Sequence, residues 1–549
     1  MTSLRKLVLL SISSTFLFAQ NTPNSSDIDK QIPNLKLEKS KTPIPNIDVK
    51  KETINEKKKK EKTIFIKDIS FKGNKKVSTQ SLQDLVQDFK NKELSFTDIK
   101  NLTNIITNYY RKNTYFTSRA YIPKQALNDG ILSIGIIEGK YGEFDIENNT
   151  LFDDETIKNI FELAKESEIV SSKALERSML LTNDLAGISI SKMKIKAGAD
   201  TGYSNFKIVA DETNIYSGYL LLDNAGSKYT GENRLIAGVN LNSLFDIGEK
   251  LSLSGLISDE TNLKNIKVAY NIPLSSSGLT GEVYFSKTTY NLEEEYAPLE
   301  AEGSSRNVGL VFKYPLIRSK LENLFGEVEI SNKTLKDQQL NTASTSKKIN
   351  KLELSLNYNK TYLLSNFITN SDIDFILTSG KLNGADDQVT ANTEGKYKKV
   401  NLNLSNEAQV SKNFSLHSSL KLQYALKNKN LDGSEDFSLG GQYGVKLYPN
   451  GELSAENGYL FNIETKYSLP SINSYSSKIG LFYDRGRVHM AQKDANFESR
   501  TLQDIGVGYY SSYKDLFAQI QVVWNIDNDK ITSEPNRNSK ILFQSGLIF

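Results

Sequence analysis

Residues Leu352–Asn359 read Leu-Glu-Leu-Ser-Leu-Asn-Tyr-Asn, with an apolar side chain at every second position. A period of two predicts a β-strand, because successive side chains of a strand point to opposite faces. The same alternation recurs at residues 324–330 and 416–424. Strands that are apolar on one face and polar on the other suit a wall between lipid and a watery lumen. We therefore predict a membrane β-barrel over residues 214–549.

The last strand supports this fold. Ile541, Phe543, Leu547 and Phe549 share one face, and an aromatic last residue on an alternating strand resembles the signal by which the outer-membrane assembly machinery recognises barrels. About 335 residues, at roughly 20 per strand with its loop, allow about 16 antiparallel strands, an even number as bacterial barrels require. A soluble sandwich or solenoid would also alternate and is the alternative fold.

The N-terminal segments predict export and a linker. Two basic residues precede an apolar run that ends at Phe18, and Ala19 stands before a polar stretch, so residues 1–19 have the layout of a secretory signal peptide. Residues 20–62 contain four prolines, a lysine-rich run and few large apolar side chains. We predict a disordered linker there. Whether it carries a helix that plugs the pore stays open.

Residues 63–140 and 141–213 predict two small α+β domains with the same element order, β-α-α-β-β. In the first, strands are expected near 64–71, 116–123 and 131–137, and Ser95 with Asp98 predicts the start of the second helix as a capping pair. In the second, helices are expected at about 153–164 and 171–183, between strands at 144–146, 192–196 and 206–210.

Composition excludes several kinds of chemistry. The chain has no cysteine and its histidines are His417 and His489, so thiolate nucleophiles, disulfides, zinc sites and Ser/His catalysis are poorly supplied. The net charge of +3 over 549 residues gives no case for a nucleic-acid partner. We expect no catalytic residues, no metal, no cofactor and no enzymatic activity, although carboxylate-only chemistry stays formally open.

Four segments together resemble one family, the two-partner secretion transporters of the haemolysin secretion/activation (TpsB) type. Three of them are similar to the first POTRA domain of that family: Ile69–Asn74, Tyr109–Arg111, and Thr117–Pro123 with the following Glu138-Gly139. The fourth, Leu222–Gly231, is similar to the first barrel strand and turn. The resemblance implies a signal peptide, two periplasmic POTRA domains and an outer-membrane barrel of a Gram-negative bacterium.

A further segment, from Ser438 to Glu464, resembles the long loop that folds back into the lumen in this family, whose tip reads Val-Arg-Gly-Tyr or Val-Arg-Gly-Phe. Here the tip is Val445, Lys446, Leu447 and Tyr448. The resemblance implies a lumen latch in which Lys446 meets Asp484. Because lysine lacks the bidentate fork of arginine, this latch is expected to be looser. Leucine in place of glycine is expected to reshape the turn.

The resemblance also implies how a substrate would be recognised. An exposed strand edge of a POTRA domain captures an extended chain through main-chain hydrogen bonds. The candidate edge consists of Phe116, Thr117, Ser118, Arg119, Ala120 and Tyr121. No phosphate-binding loop is visible, so export would draw on folding of the cargo outside the cell rather than on nucleotide hydrolysis.

The function implied is an outer-membrane translocation pore that exports a large, unfolded, β-helical exoprotein, namely an adhesin, haemolysin or contact-dependent inhibition toxin. Its expected partners are a TpsA-type exoprotein with an N-terminal secretion domain and outer-membrane lipid, and the pore is expected to be monomeric. One alternative is an outer-membrane assembly insertase of the same superfamily, which usually carries more POTRA domains. Another is a passive porin or surface adhesin, which would not need two α+β domains.

Overall fold

A computed structural model describes residues 22–33, 35, 43–46, 62–340, 343–365, 367–384, 392–492, 497, 499–527 and 529–549. The predicted signal peptide lies outside these residues. The first described element is the short helix α1 (Ser25–Asp29). It begins at Asn24, whose side chain accepts from the backbone N–H of Ser26, while Asp27 accepts from the backbone N–H of Asn24.

The first α+β domain contains two small sheets and two helices. Its elements are β1 (Thr63–Ile66), β2 (Asp68–Lys72), α2 (Thr79–Leu85), β3 (Lys92–Ser95), α3 (Phe96–Lys112), β4 (Arg119–Tyr121) and β5 (Ile131–Ile137). One sheet has the order β2-β5-β4, and β1 pairs with β3. The capping pair is confirmed: Ser95 accepts from the backbone N–H of Asp98, whose carboxylate accepts from the backbone N–H of Ser95. The strand expected at 116–123 was too long, because it covers only Arg119–Tyr121.

The second domain repeats the plan. Its elements are β6 (Lys140–Asn149), α4 (Asp154–Glu162), α5 (Ser172–Asp184), β7 (Ile188–Ala197) and β8 (Tyr203–Glu212), with sheet order β6-β8-β7. Its core is apolar, and Phe161, Met179 and Phe206 are fully buried in it. Among the residues that the structure describes, no helix is long and apolar enough to cross a membrane.

The remaining chain closes into a barrel of sixteen antiparallel strands in sequence order, as predicted. Its strands are β9 (Tyr216–Asp223), β10 (Arg234–Asn242), β11 (Lys250–Ser258), β12 (Leu263–Pro273), β13 (Thr280–Asn291), β14 (Glu302–Arg318), β15 (Glu322–Gln339), β16 (Ala343–Leu364), β17 (Phe367–Asn383), β18 (Gly395–Gln409) and β19 (Phe414–Ala425). After two short strands, β20 (Phe437–Ser438) and β21 (Ser454–Ala455), come β22 (Asn457–Ser468), β23 (Tyr475–His489), β24 (Thr501–Tyr513), β25 (Leu516–Asn525) and β26 (Ser539–Ile548).

The alternating side chains separate an apolar outside from a polar inside. Leu352, Leu354 and Leu356 of β16 are 41–47% exposed on the outer face, whereas Lys351 and Glu353, which alternate with them, form an ion pair at 2.6 Å on the inner face. A soluble sandwich would bury such leucines in a core, so their exposure supports a lipid-facing surface. The barrel closes where β26 pairs with β9.

The two ends of the barrel differ. At one end the strands are joined by short turns, such as residues 319–321 and 514–515, and β8 enters β9 there. At the other end the connections are longer, such as 426–456 and 526–538. We call these the short-turn end and the long-loop end. Both α+β domains therefore precede the barrel at its short-turn end.

The disordered linker predicted for residues 20–62 was wrong for part of its length. Residues 22–33 lie inside the barrel near the long-loop end, where Ile28 is buried among apolar residues of the wall. Ile44 instead packs into the core of the second α+β domain. Composition failed here because the apolar surface that buries these residues comes from other parts of the chain.

Candidate functional site in the barrel lumen

Loop 426–456, the lumen loop, connects β19 to β22 and folds back into the barrel. Its central residues Val445, Leu447 and Tyr448 are fully buried. They pack with Leu439 of the same loop and with Phe482 of β23 in one apolar cluster. Because a loop normally lies at the surface, this burial shows that the segment is a component of the lumen.

The structure brings Lys446 and Asp484 together. Nζ of Lys446 lies 2.7 Å from Oδ2 of Asp484 and 4.4 Å from the ring centroid of Phe482. The Asp484 side chain is fully buried. Its other oxygen, Oδ1, accepts from Nδ2 of Asn462 at 2.6 Å. Since a buried carboxylate is costly unless it is paired and hydrogen-bonded, Lys446 and Asn462 together hold the charge of Asp484 in place.

A second carboxylate on the wall binds the loop backbone. Oδ2 of Asp504 accepts from the backbone N–H of Leu447 at 2.7 Å. Asn462, Asp484 and Asp504 are register partners on the adjacent strands β22, β23 and β24, so one row of polar side chains receives the tip of the loop. Sequence reasoning missed Asp504 and the role of Asn462, because the row is visible only once strand register is known.

Leucine at the glycine position introduces no backbone strain. Leu447 is not among the residues with positive φ, so the turn does not need the freedom of glycine there. The positions of this loop that require glycine are Gly440 and Gly441. A Cβ at Gly440 would meet the carbonyl oxygen of Pro449 at 1.9 Å, and Gly441 has φ +99. Leu447 thus adopts an ordinary backbone and adds apolar packing, and the expectation that it reshapes the turn relative to glycine stays a prediction.

The end of the lumen loop is fixed by a second anchor, Glu452. Its buried carboxylate accepts from the backbone N–H groups of Thr532 and Ser533 at 2.8 and 3.0 Å. Arg500 pairs with it at 2.7 Å. Tyr448 also contacts this region through its hydroxyl, which donates to the carbonyl oxygen of Asp529 at 3.1 Å. The lumen loop is thus tied to the wall at its tip and to another loop at its base.

The N-terminal segment, residues 22–33, occupies the lumen beside this loop. Ser25 donates to Asp337 of β15 from its backbone N–H at 2.6 Å and from its hydroxyl at 2.8 Å. Ser26 donates to Asp432 of the lumen loop at 3.0 Å. Asp29 pairs with Lys333 of β15 at 3.0 Å. Every one of these contacts is polar and near the long-loop end.

The same segment also contacts the first barrel strands. Arg234 and Asp223 form a buried bidentate ion pair with N–O distances of 2.8 and 3.0 Å. The guanidinium also donates to the backbone carbonyl of Gln31 at 2.9 Å. Gln31 is therefore held by a side chain next to the closing seam of the barrel.

The six residues of the predicted edge in the first domain differ in burial: Phe116 and Ser118 are buried, whereas Arg119 and Tyr121 are exposed. Phe116 packs into the core of the second domain, and the buried Ser118 accepts from the backbone N–H of Gly139 at 3.2 Å. Phe116, Thr117 and Ser118 precede the strand. Within it, the backbone N–H of Ala120 already donates to Thr107 at 2.9 Å. Among the six predicted residues, the strand β4 thus presents Arg119 and Tyr121 as exposed side chains.

Glu138, in the Glu138-Gly139 motif, binds several groups of the first domain. Its Oε1 accepts from the backbone N–H groups of Lys75 and Lys76, both at 2.8 Å, and from the hydroxyl of Tyr110 at 2.9 Å. Burial, together with this carboxylate, raises the pKa of Tyr110 well above its usual value. Next to it, a Cβ at Gly139 would lie 2.1 Å from Oγ1 of Thr117. These contacts hold the domain together.

Helix α5 docks the second domain on the barrel. Arg318, the last residue of β14, forms a bidentate ion pair with Asp184, with both N–O distances 2.8 Å. Arg177 donates to the carbonyl oxygen of Pro315 at 2.8 Å. Glu176 accepts from the backbone N–H of Lys320 at 2.8 Å. The helix therefore contacts the short-turn end through charged and polar groups.

Fold and site together define a class of protein: a barrel transporter whose lumen is occupied by its own loop and N-terminal segment. No group of three or more histidine, cysteine, aspartate or glutamate side chains suited to a metal ion occurs in the described ranges.

Comparison with known proteins identifies the family. The model of the haemolysin secretion/activation protein family ShlB/FhaC/HecB matches residues 202–509, and that of the ShlB-type POTRA domain matches residues 64–139. The chain belongs to this haemolysin secretion/activation family. It is an outer-membrane protein, and its POTRA domains lie in the periplasm at the short-turn end.

Relatives agree over most of the chain. The heme/hemopexin transporter protein HuxB of Haemophilus influenzae strain 86-028NP is 28% identical over 476 residues, which cover 83% of this chain and 82% of HuxB. The outer membrane transporter CdiB of Dickeya dadantii is 21% identical, covering 84% and 82%. The solved CdiB from Escherichia coli has the same fold, with a TM-score of 0.75, 18% identity and 96% of each chain covered.

Proposed function

We propose that this chain is the outer-membrane pore of a two-partner secretion system and exports one large, unfolded, β-helical exoprotein from the periplasm to the cell surface. The exoprotein is an adhesin, a haemolysin, a contact-dependent inhibition toxin or, by analogy with HuxB, a heme- or hemopexin-related protein. It carries an N-terminal secretion domain, and the pore acts as a monomer without enzymatic activity. Family membership supports this function.

The observation that carries the proposal is the content of the lumen. Two segments distant in sequence, residues 22–33 and the lumen loop, fill it and contact each other through Ser26 and Asp432. Polar contacts hold each of them in place, through Ser25 and Asp29 in the N-terminal segment and through Lys446 in the lumen loop. A passive porin needs an open lumen, whereas a pore for a polypeptide must stay closed until the cargo arrives.

Lys446, Asp484 and Asp504 act as the latch in this account. Lys446 neutralises Asp484, and Asp504 binds the backbone of Leu447. While the latch is closed, Val445 and Tyr448 stay buried in the apolar cluster of the wall. Release of the tip opens the lumen beside β22–β24.

The cargo first meets the periplasmic domains. Strand β4 forms one edge of the first sheet, and its exposed Arg119 and Tyr121 lie at this edge. An extended chain that adds to the edge gains main-chain hydrogen bonds without a strict sequence requirement. The backbone N–H of Ala120 already donates to Thr107. The cargo would therefore form its hydrogen bonds mainly with the backbone carbonyl groups and exposed side chains of β4.

The test is deletion of the gene in its source bacterium, followed by quantitative proteomics of the cell surface and medium. The proposal expects loss of one very large exoprotein, restored by the wild-type gene, with the other outer-membrane proteins at normal levels. A general loss of barrel proteins from the outer membrane would instead indicate an assembly insertase. Unchanged surface proteins together with reduced uptake of small solutes would indicate a porin.

A further inference from the structure

The outer face of the barrel carries a band of cations at its extracellular end. It consists of Lys287 of β13, Arg306 of β14, Lys348 of β16, Lys381 of β17, and Lys396 and Lys398 of β18. All six side chains are exposed. Their side chains lie on the outer face of the barrel, the face that also carries the outward apolar side chains of the same strands. We call them the basic band.

The height of the basic band matches the membrane surface. Along β14, the outward residues after Arg306 are Val308, Leu310 and Phe312, which are 41–47% exposed. Two residues of a strand advance by roughly 7 Å, so the guanidinium lies just above the apolar belt. A cation at this height meets lipid headgroups rather than acyl chains or bulk water.

The cations of the band face each other without a carboxylate between them. Lys287 is directly opposite Arg306, and Lys381 is directly opposite Lys396, with Lys398 two residues further along the same face. None of the six forms an ion pair with a carboxylate in the part of the chain that the structure describes. Like charges directly opposite each other on a sheet are destabilising, so the arrangement needs an external anion.

Lysines on the inner face behave differently. Lys351 pairs with Glu353 at 2.6 Å, and Lys399 pairs with Glu435 of the lumen loop at 2.9 Å. Lys399 follows Lys398 directly on β18, so the two side chains point to opposite faces of the strand. The chain thus supplies carboxylates to the lysines that face the lumen and leaves the neighbouring outward ones to another partner.

The periplasmic end of the outer face shows the opposite composition. Phe414, Tyr467 and Tyr513 are exposed there, and Phe414 and Tyr467 are in ring contact at 4.9 Å between centroids. One outward strand cation at this end, Lys360, has its own partner, Glu322, at 3.4 Å. The six cations of the basic band thus lie at the leaflet that faces the outside.

We propose that the basic band binds the phosphate groups of the phosphorylated glycolipid, lipopolysaccharide, in the outer leaflet. A phosphate accepts several charge-assisted hydrogen bonds at once, which the trio Lys381, Lys396 and Lys398 supplies from two adjacent strands. The bound glycolipid relieves the repulsion within the band and anchors strands β13–β18. The opposite side of the barrel, where β26 closes on β9, presents Leu222, Ile541 and Phe543 and stays free of this anchor.

The experiment measures binding of purified full-length protein in detergent to lipid A carrying both phosphates, by native mass spectrometry. The variant replaces three lysines: Lys381→Gln, Lys396→Gln and Lys398→Gln. Each cation near a charged lipid surface contributes roughly a factor of five, so we expect binding weakened about 100-fold. Wild-type binding to lipid A without phosphates should be weakened similarly. Full binding by the variant overturns the proposal.

The matched control removes three lysines at the periplasmic end: Lys360→Gln, Lys412→Gln and Lys514→Gln. It has the same charge as the variant and should bind phosphorylated lipid A like the wild type. Equal weakening in the control overturns the proposal, because net charge alone would then act. Inorganic phosphate that competes fully at equal concentration also overturns it. Heat-modifiable gel migration shows whether the variant folds. If it does not, the wild-type protein alone decides, and equal binding of lipid A with and without phosphates overturns the proposal.

Discussion

Lys446 and Asp484 meet in the lumen although 38 residues separate them, with Nζ 2.7 Å from Oδ2. The resemblance to the family implied a pair here, and the geometry shows how lysine fills the arginine position. Oδ1 of Asp484 is taken by Asn462, so one oxygen remains for the loop. A point donor such as lysine suits this single free oxygen.

Asp484→Ala should reduce export of the exoprotein at least tenfold while the barrel still inserts, because the tip must be held on the wall until the cargo arrives. The substitution leaves Lys446 unpaired beside Phe482, and breaking a buried ion pair costs about 3–5 kcal/mol. Export is measured as exoprotein in the medium, and insertion by heat-modifiable migration. Lys446→Arg is the matched control and should retain most export. Normal cargo release by the alanine variant would remove the latch from the account.

Asp504→Ala should free the tip of the lumen loop without removing the ion pair. The lost hydrogen bond from the N–H of Leu447 is worth about 1–2 kcal/mol. Amide hydrogen exchange of residues 445–448 should therefore accelerate roughly tenfold. Asp504→Asn keeps an acceptor oxygen at this place and serves as the control. Unchanged exchange in the alanine variant would show that the loop is held elsewhere.

Glu452→Ala should loosen the base of the lumen loop. The carboxylate accepts from two backbone N–H groups and pairs with Arg500, and its loss leaves these donors unsatisfied at a cost of roughly 3 kcal/mol. Limited proteolysis of intact cells should then cut the loop around residues 529–538 faster than in the wild type. Glu452→Gln retains an acceptor and should be cut at an intermediate rate. Equal rates for all three proteins would contradict the anchor.

Arg318→Ala should increase the motion of the second POTRA domain relative to the barrel. The Arg318–Asp184 pair is partly exposed, so its loss costs only about 1 kcal/mol. Spin labels on α5 and on the turn at 274–279 should give a broader distance distribution than in the wild type. Arg318→Lys keeps the charge but not the fork and should fall between them. An unchanged distribution would show that the backbone contacts suffice for docking.

The sequence could predict the barrel because the period of two is local, and the strand number because the length of the segment limits it. The alternation of Leu352, Leu354 and Leu356 predicts a strand without any information on the strands beside it. The cap at Ser95 was equally local. Burial of Phe116 was missed because it depends on the core of the second domain, in which this side chain packs.

The site residues also divide into those with a local sequence signal and those without one. Asp484 could be named because its own strand resembles a family motif, whereas Asp504 gains its role from pairing with Asp484 on the adjacent strand. The position of residues 22–33 depends on side chains more than 300 residues away, such as Asp337. Long-range register of this kind carries no local sequence signal.

The central claim is that the lumen is the export route and that residues 22–33 close it at rest. Because the chain has no cysteine, Ser25→Cys with Asp337→Cys introduces a single disulfide between the N-terminal segment and β15. The most direct measurement is exoprotein release by this double variant before and after a reducing agent, with each single variant as control. Our account predicts that oxidised cells release almost none and that reduction restores release to the level of the single variants. Equal release from oxidised and reduced cells, with the disulfide shown to be formed, would contradict it.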